Sequence, residues 1–376
     1  MPVHVAVPKE QLPEEQRVAL VPEIAGRLAK LGVTVLIEKN MGKRAYFADT
    51  AYQQVQLVEY ADKLYQQADV VLKVQPPTEV EIEQMKEGTV VIGFMYPYRY
   101  PERVAKLRDK KITCLAMELV PRISRAQSMD ALSSQAAVAG YKAVIRAADL
   151  ASVFFPMLTT AAGTIRPAKV LVIGAGVAGL QAIATARRLG AIVEGYDVRA
   201  ATKEQVESLG AKFVDIQVKA EGEGGYAREL TADEKQQQQA ILAKHIAAAN
   251  IVITTAAIPG RPSPKIITKE MVEAMTPSSV IIDLASEGGG NCELTQPGET
   301  VEHQGVIIQG PLGLPRKTPI HASEMYSKNL FNLLSLMIKD GELQIDWTDE
   351  IIVGTTLTHA GEIKHAPTRE LVEGAK

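Results

Sequence analysis

The chain has 376 residues, of which 46% are hydrophobic and 23% are charged, and its formal net charge is −3. The length suggests two domains, the composition is that of a soluble globular protein, and the small negative charge gives no indication of nucleic-acid binding. Two cysteines, Cys114 and Cys292, are too few for a disulfide framework, so we expect a reducing compartment and a buried thiol at Cys114. The N-terminus lacks signal-peptide features, and no apolar run approaches the ~18–20 residues of a membrane span.

Strand-like and helix-like patterns alternate over residues 1–120. The apolar runs of strand length are Val3–Val7, Val33–Ile37, Val70–Val74, Val90–Phe94 and Ile112–Met117. Amphipathic segments such as Pro22–Lys30 and Pro101–Asp109 lie between them. This alternation predicts a parallel sheet covered on both faces. Because this half has no glycine fingerprint, we expect it to lack a phosphate site.

A polar segment, Pro121–Asp130, precedes a long Ala-rich segment, Asp130–Phe154. The Ala-rich segment predicts one helix, ended by Pro156, that connects two α/β units. The polar segment contains two arginines, two serines and a glutamine. It is either a helix entrance capped by Asp130 or Ser128, or a loop that faces an interdomain cleft and binds a carboxamide or an anion.

The most specific pattern lies in residues 169–199. An apolar run, Val170–Ile173, is followed by Gly174, Gly176 and Gly179 in the spacing G-x-G-x-x-G. The first glycine permits a tight turn, the second lets the backbone approach a pyrophosphate, and the third lets the helix pack on the strand. The pattern therefore predicts a dinucleotide-binding Rossmann unit.

An acidic residue completes this unit. A helical segment that opens near Val177 would place its free N–H groups on the phosphates, and a second apolar run ends in Asp197. A carboxylate there accepts hydrogen bonds from the adenosine ribose and repels a 2′-phosphate, which favours NAD over NADP, although the nearby Arg199 tempers this preference. The residues predicted to bind the cofactor in this unit are Gly174, Ala175, Gly176, Val177, Gly179, Asp197, Val198 and Arg199.

Further strand-like runs follow the fingerprint, at Phe213–Val214, Ile251–Thr254, Val280–Leu284 and Val306–Gln309. Two small-residue segments, Thr254–Arg261 and Ser286–Asn291, follow two of these strands. They are either structural turns or backbone that approaches the nicotinamide half of the dinucleotide.

Between Asp215 and Gln239 the alternation fails, and the segment 215–239 contains three glycines and several charges. It is either a mobile loop that closes over bound nucleotide, with Tyr226 beside Gly225 as its covering aromatic residue, or a plain surface insertion. The run Gln236–Gln239 is expected to begin the next helix. A helical pattern at Met325–Ile338 is expected to return to the first domain.

These patterns predict an α/β protein with two doubly wound, Rossmann-like parallel-sheet domains joined by long helices, with a cleft between them. The first domain is expected to comprise residues 1–132 plus 322–376, and the NAD(H)-binding domain residues 133–321. Arg17 and Lys73 lie beside or within apolar runs, and are either strand-end cations with solvated heads or cations that line the cleft. The six histidines show no metal-ligand spacing, so no metal site is predicted. No nucleophile motif such as G-x-S-x-G is present.

Several motifs resemble the alanine dehydrogenase and nicotinamide nucleotide transhydrogenase superfamily. They are Val7–Glu10, Arg17–Leu20 and Lys73–Val74, together with Arg122–Gln135, Gly225–Glu229 and Asp283–Asn291, which look specifically like the transhydrogenase. The resemblance covers essentially the whole chain and matches the NAD(H)-binding component, domain I of the alpha subunit. It implies a cytoplasmic homodimer, peripheral on the inner membrane, that docks on a membrane-spanning proton channel and on a separate NADP(H)-binding component. It further implies Re/Si-specific hydride transfer from NADH to NADP⁺, coupled to proton translocation.

The resemblance also implies roles for individual residues. Asp130 and Ser133 would orient the nicotinamide carboxamide, and Arg122 would steady the dihydronicotinamide. Gln127 would reach the NADP(H) of the partner. Further cofactor-binding positions implied by the motifs are Gly225, Tyr226, Ala257 and Glu287.

One departure separates the two branches of this superfamily. Alanine dehydrogenases carry a catalytic histidine after the strand that here reads Val90–Tyr96, whereas this chain has no histidine between His4 and His245. The transhydrogenase component is therefore favoured, and the alternatives are an alanine-dehydrogenase-like oxidoreductase and a non-catalytic NAD-binding module. The chain ends at Lys376 without the hydrophobic extension of some family members, as a split subunit or an excised domain would.

Overall fold

The computed structural model describes residues 2–215, 231–257 and 262–374. In chain order the strands are β1 His4–Val7, β2 Thr34–Glu38, β3 Val55–Val58, β4 Val70–Leu72, β5 Val90–Gly93, β6 Thr113–Ala116, β7 Leu158–Thr160, β8 Gly163–Ile165, β9 Lys169–Ile173, β10 Ile192–Tyr196, β11 Lys212–Phe213, β12 Ile251–Thr254, β13 Val280–Asp283, β14 Thr300–His303, β15 Val306–Gln309, β16 Ile338–Lys339, β17 Glu342–Leu343, β18 Thr356–His359 and β19 Glu362–Ile363. The α-helices are α1 Pro22–Lys30, α2 Ala61–Gln67, α3 Glu79–Gln84, α4 Pro101–Asp109, α5 Ala131–Leu150, α6 Val177–Arg188, α7 Thr202–Ser208, α8 Ala232–Ala248, α9 Lys269–Glu273, α10 Pro319–Ser335, α11 Glu350–Thr355 and α12 Ala366–Glu373.

The chain divides into two compact units. Unit 1 comprises Met1–Gln135 and Pro315–Lys376, and unit 2 comprises Ala136–Leu314. The long helix α5 begins in unit 1 and continues into unit 2. Within the described ranges, no helix is long and apolar enough to cross a membrane.

The sheet of unit 1 has the strand order β19-β18-β6-β5-β4-β1-β2-β3. All neighbours from β6 to β3 are parallel, and the order 3-2-1-4-5-6 that they form is that of a Rossmann fold. The edge departs from the all-parallel prediction, because β18 pairs antiparallel with β6 and β19 antiparallel with β18. The C-terminal segment thus covers what would otherwise be an open edge.

Helix α10 contributes to the core of unit 1. It begins at Pro319, about one and a half turns before the predicted start, because proline is suited to the first turn of a helix. Its buried side chains Tyr326, Leu330 and Leu333 belong to the same apolar cluster as Val5 of β1. The C-terminal region therefore folds onto the first half of the chain, as the helical pattern predicted.

The sheet of unit 2 has the order β11-β10-β9-β12-β13-β15-β14, again 3-2-1-4-5-6 with one antiparallel edge strand, β14. In β9, Val170 and Val172 belong to one buried cluster, and Leu171 and Ile173 belong to another. Alternate side chains therefore pack on opposite faces, and both faces of the sheet are covered. The predicted fold class is confirmed in both units.

Two further predicted boundaries were wrong. Helix α8 begins at Ala232, so the glutamine run lies inside a helix and the last part of the predicted loop 215–239 is helical. Helix α5 ends at Leu150, four residues before the predicted end, and a short hairpin of β7 and β8 follows that the sequence did not predict. The predicted lid residues Gly225 and Tyr226 lie outside the described residues.

Candidate functional site

The three fingerprint glycines of unit 2 occupy three different environments. Gly174, directly after β9, has φ +98°, and a Cβ there would lie 2.5 Å from Thr255 Oγ1. A Cβ on Gly179 would overlap the carbonyl oxygen of Gly174. Around Gly176, no heavy atom of the described residues other than its chain neighbours lies within 4 Å of such a Cβ. The first glycine therefore permits the turn, the third permits helix–strand packing, and the second leaves space beside the backbone for a ligand.

Helix α6 presents its N-terminus at this turn. Its N-cap is Gly176, and no described side chain caps it. Val177, the first helical residue, is exposed, whereas Ala175 is buried. The N–H groups of the first turn and the positive end of the helix dipole thus form a ready site for a pyrophosphate.

Asp197, directly after β10, is held in place by donors from the backbone and from the side chain of Arg199. Its carboxylate accepts hydrogen bonds from the backbone N–H of Ala175 at 2.7 Å and from the backbone N–H of Arg199 at 2.9 Å. The Arg199 guanidinium binds both carboxylate oxygens, at 2.9 and 2.8 Å. Val198 packs on the apolar cluster that lines one face of the sheet. The carboxylate is thereby fixed beside the fingerprint turn, and its charge is partly neutralised by Arg199.

The segment after β12 forms the other edge of the crevice. Strands β9 and β12 are neighbours on either side of the topological switch point, where ligands of open α/β sheets bind. Thr255 donates a hydrogen bond from its hydroxyl to the carbonyl of Gly174 at 3.1 Å, and Ala257 is exposed two residues later. Sequence reasoning assigned no role to Thr255, although its position directly after a buried strand could have indicated one.

Glu287 lies in a short 3₁₀ turn, Ser286–Gly288, after β13, and its side chain is exposed. The two following glycines, Gly289 and Gly290, both have positive φ, and a Cβ on Gly290 would lie 2.6 Å from Asp283 Oδ2. The glycine run therefore serves a sharp turn, while Glu287 is accessible to a ligand.

In unit 1, the polar segment before α5 is an ordered 3₁₀ turn, Ser124–Met129. Ala126 and Met129 are buried in the core, whereas Arg122 and Gln127 are exposed. The apolar side chains thus anchor the segment and leave the polar ones accessible.

Asp130 and Ser133 are paired at the entrance of α5. Asp130 accepts a hydrogen bond from the backbone N–H of Ser133 at 2.9 Å and another from its hydroxyl at 2.6 Å. The predicted capping role of Asp130 is therefore confirmed. The pair also holds a carboxylate and a hydroxyl side by side, ready for a ligand that both donates and accepts hydrogen bonds.

Helices of the C-terminal region hold this segment in place. Arg125 makes a bidentate ion pair with Asp349, the N-cap residue of α11, at 2.7 and 2.8 Å. The carbonyl of Ser128 accepts hydrogen bonds from the amides of Asn329 and Asn332 on α10, at 2.9 and 3.0 Å. These contacts within unit 1 hold the polar segment in one conformation.

Neither of the two cations singled out in the sequence has a solvated head. Lys73 is 1% exposed, and its ammonium lies 2.7 Å from Glu81 and 3.7 Å from Glu10. Burial opposes the charge of Lys73, but the two carboxylates outweigh it and raise the lysine pKa. Arg17 binds both oxygens of the buried Glu15, at 2.8 and 2.7 Å. The strand-end, solvent-facing interpretation of these cations was wrong.

These buried charges form an ion cluster in unit 1, which comprises Glu10, Glu15, Arg17, Lys73 and Glu81. Glu10 follows β1, the strand equivalent in sheet order to β9, and its carboxylate accepts hydrogen bonds from the backbone N–H groups of Val74 and Gln75 after β4. The switch point of this sheet is therefore filled by a side chain of the protein itself. Throughout the described part of the chain, no group of three histidine, cysteine or acidic side chains is arranged to hold a metal ion.

The fold and the fingerprint site define a two-domain α/β protein with one dinucleotide-binding Rossmann unit. Family models match both halves of the chain: "Alanine dehydrogenase/PNT, N-terminal domain" over residues 6–139, and "Alanine dehydrogenase/PNT, C-terminal domain" over residues 143–366. The chain therefore belongs to the alanine dehydrogenase/PNT family, as the motifs indicated.

Within this family the chain is similar to transhydrogenase alpha subunits. It is 46% identical to NAD(P) transhydrogenase subunit alpha of Haemophilus influenzae, over 95% of this chain and 71% of that one. It is 44% identical to the subunit of the same name from Cereibacter sphaeroides, over 96% of this chain and 71% of that one. The crystal structure of transhydrogenase from Sinorhizobium meliloti superposes with a TM-score of 0.85 at 43% identity, over 97% of this chain and 99% of that one. The predicted resemblance is thus confirmed.

Proposed function

We propose that this protein is the NAD(H)-binding component of a proton-translocating transhydrogenase. In this role it holds NADH while hydride passes to NADP⁺ bound on a separate component. NAD(H) binding is supported by a dinucleotide turn whose Gly176 faces open space and by a carboxylate ordered beside it. The similarity to transhydrogenase alpha subunits supports the role in transhydrogenation. Two nicotinamides exchange hydride directly, so the protein needs to supply approach and orientation rather than an acid or a base.

The residues of unit 2 fit the adenosine and pyrophosphate half of NAD(H). The N-terminus of α6 at Gly176 would hold the pyrophosphate, and Asp197 would hold the adenosine ribose. Ala257 and Glu287, both exposed after neighbouring strands, would line the path towards the nicotinamide. The partial neutralisation of Asp197 by Arg199 moderates the preference for NAD(H) over NADP(H) without abolishing it.

For the nicotinamide end, we propose the roles that the resemblance implies for the polar segment before α5 and for the first turn of that helix. In this proposal the Asp130–Ser133 pair binds the carboxamide, which presents one donor group and one acceptor. Arg122 steadies the dihydronicotinamide, and Gln127 reaches the NADP(H) of the partner. The exposed positions of Arg122 and Gln127 on an ordered loop support these roles.

An alanine-dehydrogenase-like reaction is the second candidate, and the unit 1 ion cluster weighs against it. An oxo acid would need free cations for its carboxylate, whereas Arg17 is bound to Glu15 and Lys73 to Glu81 in buried ion pairs. The sequence offers no histidine between His4 and His245 for proton transfer. A non-catalytic NAD-binding module is the third candidate. It would not require the ordered polar segment before α5, so the presence of that segment weighs against it.

The proposal includes a homodimer that docks on the membrane-spanning proton channel at the cytoplasmic face of the inner membrane. The β7–β8 hairpin supports an interface, because both of its strands are exposed throughout and an isolated two-stranded hairpin is only marginally stable. Phe154, Met157 and Ile165 expose 54%, 64% and 46% of their surface in this region. Such apolar exposure is typical of a contact surface. Light scattering that shows a monomer at micromolar concentration would refute the dimer.

The experiment that tests the function compares two reactions of the purified chain. Stopped-flow absorbance follows NADH oxidation after mixing with the NADP⁺-loaded NADP(H)-binding component, and a parallel assay supplies pyruvate and ammonia. We expect rapid turnover only in the first reaction. Turnover only in the second would identify an alanine dehydrogenase, and NADH binding without either reaction would identify a non-catalytic module.

A further inference from the structure

The Asn291 side chain lies at the carboxyl edge of the unit 2 sheet and has no exposed surface. Its Oδ1 accepts hydrogen bonds from the Thr254 hydroxyl and, at 3.0 Å, from the backbone N–H of Ala256. Its Nδ2 donates to the carbonyls of Ala256 at 2.7 Å and of Pro264 at 2.9 Å. Both donors and both acceptor sites of the carboxamide are therefore used.

This arrangement fixes the orientation of the amide. Two donors face Oδ1 and two carbonyls face Nδ2, so the flipped amide would place like groups against each other. Asn291 pairs with both the N–H and the carbonyl of Ala256, as a neighbouring strand would. It thus extends the ordered hydrogen bonding of β12 beyond Thr254, although β12 itself ends there.

The residue between the two anchored positions reaches the fingerprint. Thr255 lies between Thr254 and Ala256, and its hydroxyl donates to the carbonyl of Gly174 at 3.1 Å. The same carbonyl oxygen is the atom that a Cβ on Gly179 would overlap, where α6 packs on the turn. A continuous set of contacts therefore runs from Asn291, through the backbone on either side of Thr255, to the dinucleotide turn.

We propose that Asn291 is a positioning residue for dinucleotide binding, which acts through Thr255 on the fingerprint turn. Its four hydrogen bonds go to residues 254, 256 and 264 rather than to the fingerprint. Its contribution is to hold Thr255 so that the hydroxyl fixes the Gly174 carbonyl and, with it, the entrance of α6. This inference rests on the proposed function, because it concerns the same nucleotide site.

The first test replaces Asn291 by an isosteric carboxylate. In Asn291→Asp, an oxygen would face the carbonyls of Ala256 and Pro264, so two hydrogen bonds become repulsive contacts. We expect the affinity for NADH to fall roughly tenfold or more, as the loss of one to two buried hydrogen bonds implies. The matched control is Asn250→Asp at the opposite end of β12. The Asn250 side chain accepts a hydrogen bond there from the backbone N–H of Lys169 at 2.9 Å, and aspartate can still accept it.

The second test uses milder variants, which keep the proposal testable if Asn291→Asp does not fold. Thr255→Val replaces the hydroxyl by a methyl group of similar size, and we expect it to weaken NADH binding roughly threefold to tenfold, as the loss of one hydrogen bond implies. Thr255→Ser retains the hydroxyl, and we expect it to restore the affinity. A double variant of Asn291→Asp and Thr255→Val should bind NADH about as weakly as Asn291→Asp alone, because residues that act through each other are not additive.

NADH affinity is measured by calorimetry, and folding by circular dichroism and thermal unfolding of each variant. A Thr255→Val variant that binds NADH as the unaltered protein does would overturn the proposal, as would a Thr255→Ser variant that is as weak as valine. Fully additive losses in the double variant would show that the two residues act separately, which also refutes it. If the unaltered chain binds NADH normally, these failures leave the proposed function intact. If the unaltered chain does not bind NADH, both the positioning role of Asn291 and the proposed function are refuted.

Discussion

The pair formed by Asp197 and Arg199 predicts opposite effects of two substitutions on nucleotide choice. The Asp197 carboxylate, only 6% exposed, is bound by both the Arg199 guanidinium and the backbone of the fingerprint turn. In Asp197→Asn the side chain keeps its shape and its acceptor oxygen, but loses its charge and releases Arg199. In Arg199→Ala the carboxylate keeps its charge and loses its counterion.

The size of the preference for NADH over NADPH follows from the charges of Asp197, Arg199 and the 2′-phosphate. A 2′-phosphate carries about −1.5 to −2 charges at neutral pH. One negative charge about 4 Å from a carboxylate costs about 4 kcal/mol at an effective dielectric constant near 20. Arg199, 2.8 to 2.9 Å from both carboxylate oxygens, offsets a large part of this cost. We therefore expect the unaltered chain to bind NADH about 2–3 kcal/mol more tightly than NADPH, which is roughly 30- to 150-fold.

Calorimetric titration of each variant with NADH and NADPH measures these preferences. Asp197→Asn should reduce the preference to less than about fivefold, since the released arginine can then face the 2′-phosphate. Arg199→Ala should increase it above that of the unaltered chain. Equal affinities for NADH and NADPH in the unaltered chain would refute the assignment of Asp197. A decrease of the preference in Arg199→Ala would show that the arginine does not neutralise the carboxylate.

Three further predictions concern unit 1. Lys73→Met leaves buried carboxylates without their cation, so the free energy of unfolding in urea should fall by about 3–5 kcal/mol, and a loss below about 1 kcal/mol would contradict the ion cluster. Burial raises the pKa of Glu118 to about 7. The folded chain therefore holds a proton that the unfolded chain releases at lower pH, so the free energy of unfolding should decrease as the pH rises towards 7. Glu118→Gln should reduce the difference in stability between urea titrations at pH 5 and at pH 7, and an unchanged difference would refute the raised pKa of Glu118. Gln127→Asn should slow hydride transfer more than about tenfold in stopped flow and leave NADH affinity within about twofold, whereas equal losses would make Gln127 a binding residue.

Local patterns determined much of what the sequence predicted correctly. Helices α1 and α4 have the predicted bounds, because each begins with a proline in its first turn and has basic residues in its last turn. The fingerprint turn was predictable because Gly174 and Gly179 each meet a local steric requirement, while Gly176 leaves open space beside the backbone. Both features depend on residues close together in the chain.

The features that the sequence did not predict depend on distant contacts. The burial of Lys73 required Glu81 and Glu10 to meet at one point of the sheet, and nothing in the strand pattern indicates this. The antiparallel edge strand β18 pairs with β6 across more than half of the chain. Asn291 was visible only as the end of a glycine run, and its four hydrogen bonds appear only after β12 and β13 lie side by side.

The central claim is that hydride passes directly from NADH on this chain to NADP⁺ on a separate component. It is tested most directly with NADH carrying deuterium at C4 of the nicotinamide, in each of its two stereochemical forms. The chain is mixed with the NADP⁺-loaded partner component, and the NADPH formed is examined by mass spectrometry. We expect deuterium from only one of the two forms to appear in NADPH, at full occupancy. Recovery of the deuterium in water would contradict direct transfer. So would NADPH that carries no deuterium with either labelled form of NADH.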